Sequence, residues 1–579
     1  MTSSFPGKWP ALVVISTLTL LNKAAVQAQI PGWQLAVTST QNAASGNISQ
    51  VLASATDASG NVFLVGAFQG SISFGSTTLT TAGSSDGFVA KWSPVSNSFL
   101  WAQQVGGTGY DVANALAVSG STIYVAGSYS STAVAFGGLS LSNAGTSDIF
   151  VAKLTDAGSS ASFGWAQRAG GADAEAPTGL AASGASVYMS GYYYSATAAF
   201  GTTNLPNAGG SDAFLAKLTD AGSSGSFVWA QGIGGTSYER ANTVAVSGSS
   251  IYLAGYFGST TVSLGTTTLQ NATATAANDV FVAKLLDAGS TSSFAWAQRA
   301  GGPGDDIANT IAVAGNGVYV AGIFSGATAS FGSTTLTNSA SGTSDIFVTK
   351  LTDAGSTAPP AWAQRAGGIY NDVANAVAIN TNKVYVAGSF SSPAISLGPT
   401  TLTNGSNAKS HDALVFGLTD AGSSSSIDWG LRAGGGGNDF AYSLALNGAN
   451  VYVAGSIVPV ASFGNLSIAN PVGYDTSYLA SFLDNTALAT SIPAFSGSIS
   501  LSPNPAHART TMVLPASYSN APIAITLTDI VGRVVRPRTD LLPAAGLTHD
   551  ISLAGLTKGL YILHIQAGAT TATRRLAVE

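Results

Sequence analysis

The chain has 579 residues, 45% hydrophobic and only 8% charged, against roughly 25% charged in an ordinary soluble protein. A formal net charge of −6 with no long basic run excludes a nucleic-acid footprint and a polybasic membrane contact. There are no cysteines, which excludes disulfides, thiolate metal sites and a cysteine nucleophile.

Residues 1–28 read as a secretory signal peptide. Lys8 supplies the positive start, Ala11–Leu21 the apolar run and Val26-Gln27-Ala28 a small-x-small cleavage site, so the mature chain is expected to begin at Gln29. The apolar run is about half the length a membrane span needs. No later segment is long and apolar enough, so no transmembrane segment is expected in the mature chain.

A repeat fills the next 450 or so residues. Tryptophans recur at Trp33, Trp101, Trp165, Trp229, Trp296, Trp362 and Trp429, about 66 residues apart, a period that signals a solenoid, propeller or array. Each unit predicts four short strands. Strand a resembles Ala115–Val118, strand b Ile123–Ala126, strand c Asp148–Leu154 and strand d Phe163–Gln167. Ser-Gly and Asp-Ala-Gly turns separate a from b and c from d. Seven a-b-c sets occur, beginning near Val51, Ala115, Gly179, Thr243, Thr310, Ala376 and Ser443. The last, ending at Tyr478–Leu483, lacks a following strand d, and the orphan strand d is Trp33–Val37. The N-terminal strand is therefore expected to complete the last unit. The prediction is an all-β, seven-bladed β-propeller of four-stranded blades over 29–484. Closure protects the sheet edges of a chain with so few charges.

The phrase Val384-Tyr-Val-Ala-Gly-Ser-Phe390, followed by an Asp-x-Phe-Val-Ala-Lys type of strand, resembles the seven-bladed β-propeller repeat family of bacterial extracellular proteins. That resemblance implies the fold and says nothing of activity.

Residues 485–496 read as a linker. Residues 497–579 predict a small Ig-like β-sandwich with strands at Val534-Val535 and Leu560–Ile565. Three motifs stand in it: Pro503-Asn504-Pro505, Asp529-Ile-Val-Gly532-Arg533 and Gly559-Leu-Tyr561. In this order at a C-terminus they are similar to the type A sorting domain of the type IX secretion system. The resemblance implies a Bacteroidetes-type Gram-negative host, type IX machinery as partner and a product released or held at the cell surface.

Catalytic signatures are sparse. The histidines are His411, His507, His549 and His564, with no zinc-type pair. Asp86, Asp148, Asp212, Asp279, Asp345, Asp412 and Asp475 precede strand c in every unit and are expected to bind turn N–H groups. The strand-b aromatics, Phe63, Tyr124, Tyr188, Tyr252, Tyr319, Tyr385 and Tyr452, read as inter-blade core. Arg168, Arg299, Arg365 and Arg432 read as solvated or paired across blades.

A repeated insertion between strands b and c, such as Phe331-Gly332 to Leu336, maps with the d-to-a links to one thick face, the expected binding face. Ten residues after each Trp from the second on stands a carboxylate: Asp111, Glu175, Glu239, Asp306, Asp372 and Asp439. Ala43 occupies that offset after Trp33. These are expected to form a broken acidic ring near the channel mouth. Either they bond to their own Gly-Gly turns or neighbouring blades, or they hold a cation, with oxygen ligands favouring weak calcium over zinc. No other cofactor is expected.

Uniformity between units and the lack of a catalytic constellation predict a secreted or cell-surface non-enzymatic protein. It would be a binding, adhesion or structural scaffold for an unidentified extracellular glycan or protein. The alternative is an extracellular polysaccharide-active hydrolase or lyase using asymmetric carboxylates or His411.

Overall fold

The computed structural model describes residues 30–41, 48–273, 277–340, 342–406, 409–458, 460–469, 474–484, 499–513, 523–529, 533–541, 548–567 and 570–579. The signal segment, Ala43, the linker and Gly532 lie outside the described residues. The fold is all-β. No helix among the described residues is long and apolar enough to cross a membrane.

The repeats form seven four-stranded antiparallel groups. Unit 4 is typical, with strand a Glu239–Ser247, b Ser250–Phe257, c Asp279–Asp287 and d Ser292–Ala300. In unit 7 the fourth strand is Trp33–Thr38, paired with Thr476–Leu483 so that Trp33 faces Phe482 and Val37 faces Leu479. Strand a of each unit lies against strand a of the next, and that of unit 7 lies against that of unit 1.

The interior strands are short apolar runs because both their faces are covered. Their side chains pack between successive units. Tyr188, Leu215 and Trp229 of unit 3 share one core with Ile251, Leu253 and Phe281 of unit 4. Each such side chain contributes on the order of 2 kcal/mol on burial.

Strand a carries a β-bulge at the same place in every unit. In unit 4 the register jumps from Ala241 to Thr243, in unit 5 from Ala308 to Thr310 and in unit 7 from Ala441 to Ser443. A bulge re-aims one side chain and bends the strand. Here the skipped residues line one cavity of about 230 Å³ enclosed by the seven strands a, among them Asn114, Thr178, Asn242, Asn309, Asn375 and Tyr442.

The insertions form hairpins, such as Thr261–Leu264 with Thr267–Gln270. Two of them pair with strand d of the preceding unit, through Ala169 opposite Phe200 and Ala433 opposite Phe463. At the start of the ring, Thr40–Gln41 pairs with Ser71–Phe74 in the same manner.

The C-terminal segment forms two sheets over one core that includes Ile525, Leu563 and Leu576. One sheet joins Ser500–Ser502, Arg509–Val513 and Thr548–Ser552. The other joins Ile523–Asp529, Val534–Leu541, Gly559–Ala567 and Thr570–Val578.

Candidate functional site on the insertion-bearing face

Five lysines of the ring join neighbouring units. In the c-to-d turn of unit 5, Asp353 accepts hydrogen bonds from three residues of unit 4. Lys284 Nζ lies at 2.6 Å, the Tyr252 hydroxyl at 2.7 Å and Trp296 Nε1 at 3.0 Å. The same aspartate caps its own turn at Gly355 N, 2.9 Å away. Burial alone would raise the Asp353 carboxyl; these hydrogen bonds outweigh it and hold its pKa at about 2. Equivalent Lys–Asp contacts are Lys91–Asp156, Lys153–Asp220, Lys217–Asp287 and Lys350–Asp420. The sequence signal was there, a Lys in five of the seven strands c one repeat before an Asp-Ala-Gly, but a turn motif alone does not disclose its partner. The strand-b aromatics are inter-unit core, as expected, and the hydroxyls of Tyr124, Tyr188, Tyr252 and Tyr319 also serve these nodes.

Six of the strand-c aspartates accept turn N–H groups, as from Ala144 to Asp148 (2.7 Å) and Ala208 to Asp212 (2.9 Å), whereas Asp475, one residue before the strand, accepts from Gln50 Nε2 at 2.8 Å. The strand-d arginines pair with these aspartates inside their own unit, not across units: Arg168–Asp148, Arg299–Asp279 and Arg365–Asp345 at 2.6 Å and Arg432–Asp412 at 2.5 Å. A strand-d residue beside strand c reaches the start of strand c more directly than it reaches the next sheet.

Asp111, Glu175, Glu239, Asp306, Asp372 and Asp439 do not form a solvent-facing acidic ring. Each is at most 1% exposed. Five accept from the second glycine of their own d-to-a link: Gly107 to Asp111 (2.7 Å), Gly171 to Glu175 (2.9 Å), Gly302 to Asp306 (2.6 Å), Gly368 to Asp372 (2.7 Å) and Gly435 to Asp439 (2.8 Å). Glu239 accepts from Ser259 N at 3.1 Å. The turn donors point inward, and the carboxylates follow them.

The first glycine of these links separates two carboxylates. A Cβ on Gly301 would lie 2.4 Å from Asp279 Oδ1 and 2.7 Å from Asp306 Oδ2. Burial pushes the carboxyls of Asp306, Asp439 and Asp372 up to about 8, 7 and 6, and raises Glu175 and Glu239. At Asp306, whose carboxyl stands at about 8, a proton supplies the neutralisation at pH 7. Among the described residues no group of three or more His, Asp or Glu could hold a metal ion.

Around the axis, bulge-residue amides stitch three of the strands a to the next. Asn242 Nδ2 donates to Ala308 O (2.9 Å), Asn309 Nδ2 to Ala374 O (2.9 Å) and Asn375 Nδ2 to Ala441 O (3.0 Å). Above this belt, on the face bearing the insertions, the units cease to be alike. The residue after the strand-a carboxylate is Val112, Ala176, Ile307 or Val373 in four units, but Arg240 in unit 4 and Phe440 in unit 7.

Phe440 stacks on Tyr442 (5.5 Å, 15°), and the His411 ring lies 5.2 Å from Phe440. His411 Nδ1 is 3.4 Å from Ser389 Oγ, and burial lowers its pKa, which leaves the imidazole neutral at pH 7. The Arg240 guanidinium lies 3.9 Å above the Tyr192 ring. Tyr110 and Tyr238, in the d-to-a links of the same face, are 54% and 53% exposed. This rim was not foreseen, because it consists of departures from the repeat.

In the C-terminal segment the motif residues secure its strands. Asn504 Nδ2 donates to Arg575 O (2.8 Å) and Asn504 Oδ1 accepts from Ala577 N (2.9 Å). Thr510 Oγ1 donates to the Pro503 carbonyl at 2.8 Å. Arg533 Nε pairs with Asp529 at 2.7 Å across the turn, and the Tyr561 hydroxyl donates to Thr557 O at 2.8 Å. Pro505 and Gly559 are in place beside them, whereas Gly532 lies outside the described residues.

Residues 500–579 match the family described as the secretion system C-terminal sorting domain. This domain implies secretion to the cell surface or the extracellular space and interaction with the type IX secretion machinery. No curated protein matches the chain. Among solved structures, the chain is similar to Trypanosoma rangeli sialidase in complex with the inhibitor DANA, at 10% identity and a TM-score of 0.31, over 80% of this chain and 83% of that one. It is also similar to phage phi92 endosialidase, at 8% identity and a TM-score of 0.34, over 94% of this chain and 88% of that one.

The expectation of a non-enzymatic scaffold is corrected: the uniformity between units on which it rested fails on the insertion-bearing face, where Arg240 and Phe440 stand in place of the small or aliphatic residues of four other units.

Proposed function

We propose that the chain is an extracellular polysaccharide-active hydrolase or lyase built on a seven-bladed β-propeller over 29–484, closed by its N-terminal strand. A signal peptide and the sorting domain at 497–579 export it through type IX machinery. The observation that carries the reading is the aromatic rim confined to a few units of the insertion-bearing face. Exposed Tyr110 and Tyr238 offer flat apolar rings for sugar faces, and the Phe440–Tyr442 stack continues the platform. His411, neutral at pH 7 and packed on Phe440, is the group placed to accept a proton there. The ring of neutral Asn, Thr and Ser side chains below is suited to hydroxyl-rich ligands.

The test is turnover of a polysaccharide panel by the exported protein, read as new reducing ends for hydrolysis and as ultraviolet absorbance of unsaturated ends for lysis. H411A is expected to lose at least about tenfold in rate while Y238A raises KM. A folded protein without turnover on any neutral or acidic glycan, or an H411A variant as active as the parent, refutes the reading.

A further inference from the structure

Charges in the ring are almost fully accounted for. Residues 30–484 contain twelve Lys and Arg side chains. Ten of them have a carboxylate oxygen at 2.5–2.8 Å. The other two are Arg240 and Lys409, which have no ion pair among the described residues. Both stand on the insertion-bearing face, and both lie on a tyrosine ring: Arg240 Cζ is 3.9 Å from the centroid of Tyr192, and Lys409 Nζ is 4.5 Å from that of Tyr370.

Arg240 is the sharper case. It is the sole cation on any strand a. Nη2 donates to the Tyr194 hydroxyl at 2.9 Å, Tyr256 lies opposite it in the register, and Nε is buried with no hydrogen-bond partner. Stacking and one hydroxyl fix the plane of the guanidinium without neutralising it. A half-buried cation ordinarily has a counter-charge in contact, because desolvation without one is costly. In this chain a carboxylate was supplied to every other arginine of the ring. A planar guanidinium held flat on an aromatic ring with Nη1 left to donate is shaped for a planar carboxylate.

We propose that the insertion-bearing face recognises a carboxylate-bearing polysaccharide, with Arg240 as the primary carboxylate contact and Lys409 as a second contact elsewhere on the same face. The inference rests on the glycan reading above and adds the charge of the substrate. Tyrosines on the rim take the sugar rings, and the two unpaired cations take the acid groups. Within residues 30–484, where the other ten cations already face carboxylates, these two positions are the places where an anion gains a partner. Uronate and sialate polymers share the required chemistry, and the probes separate them.

The experiment measures binding, not turnover, on the full chain. Polygalacturonate, its methyl ester, polysialic acid, dextran sulfate and neutral dextran are titrated by calorimetry at low and at 0.3 M salt. At least one carboxylated polymer is expected to bind, more weakly at high salt, while the methyl ester and dextran do not. R240Q is expected to weaken that binding by about tenfold or more and R240K by less, since a charged hydrogen bond is lost in the first and its fork geometry in the second. K409Q, at an exposed position where folding is not at issue, is expected to weaken it about two- to fivefold.

Equal binding of the methyl ester, equal binding of dextran sulfate, no binding of any carboxylated polymer, or full affinity in both R240Q and K409Q overturns the proposal. Should R240Q not fold, K409Q and R240K decide. Cleavage of neutral glycans without any carboxylate preference would sink this inference and leave the proposed activity standing. Arg240-dependent binding with no cleavage of any polymer would do the reverse.

Discussion

Replacing Asp353 with Ala removes the acceptor for Lys284, Tyr252 and Trp296 in the neighbouring unit and the cap on Gly355. Lys284 and Asp353 side chains are each 8% exposed, so the ammonium is left buried and unpaired. Breaking one partner out of a buried pair costs about 3–5 kcal/mol. The acid shift gives an independent figure: a carboxyl held at about 2 against 3.8 unfolded corresponds to roughly 2 kcal/mol at neutral pH. The larger figure applies to D353A because the orphaned donors add to the lost carboxylate. With about 2 cal/mol/K per residue over the roughly 450 residues of the ring, a loss of 3–5 kcal/mol lowers Tm by about 3–5 °C if the ring melts as one unit. D353N keeps one acceptor oxygen, enough for the indole and Gly355 N but not also for the hydroxyl and the ammonium, and is expected to fall between. Differential scanning calorimetry of the three proteins at pH 7 reads this directly. A D353A melting temperature within 1 °C of the parent would refute the view that these nodes hold the units together.

Further outcomes follow from the same contacts. Asp306, Asp439 and Asp372, at about 8, 7 and 6 folded against 3.8 unfolded, contribute stability that is complete below 3.8 and is lost as pH rises toward 8. Asp220 and Asp353, at about 2, contribute stability present above 3.8 and lost as pH falls toward 2. Melting temperature should therefore peak at roughly pH 4–5 and decline by pH 8.5, with D306N reducing the alkaline decline; a melting temperature that rises from pH 5 to 8.5 contradicts this. G301A, whose Cβ would meet Asp279 Oδ1 at 2.4 Å, should cost at least about 3 kcal/mol, whereas G289A, in a left-handed turn with open space around it, should cost about 1 kcal/mol in denaturant titration. W362F strips Asp420 of a 2.9 Å hydrogen bond and should cost more than W429F by about 1 kcal/mol, since Trp429 Nε1 has no partner to lose. Removal of residues 500–579 should leave the protein inside the outer membrane, as read by immunoblots of cell fractions and medium.

Much of the architecture lies in local sequence. The tryptophan period, the Ser-Gly and Asp-Ala-Gly turns and the apolar strand runs specify antiparallel four-stranded units, because hairpin chemistry and side-chain alternation act over a few residues. The orphan strand at Trp33 and the missing one after Leu483 even disclose the pairing of the two ends of the repeat region, since an unpaired edge at each must be covered. What lay beyond such reading is everything decided between units. Lys284 and Asp353 are 69 residues apart, so their pairing belongs to the stacking of sheets and to no local pattern. The carboxylates at Asp306 and its equivalents look like an exposed ring in the text of the repeat; only the packed d-to-a links show them buried and turned inward, five of them onto glycine N–H groups. Arg240 reads as one irregular letter in a repeat. Its meaning appears only when every other arginine of the ring has been placed against a carboxylate. A repeat determines what each unit is, by short-range physics that recurs. Tertiary structure decides where one unit departs from the rest, because a departure acquires an environment only after its neighbours have folded around it.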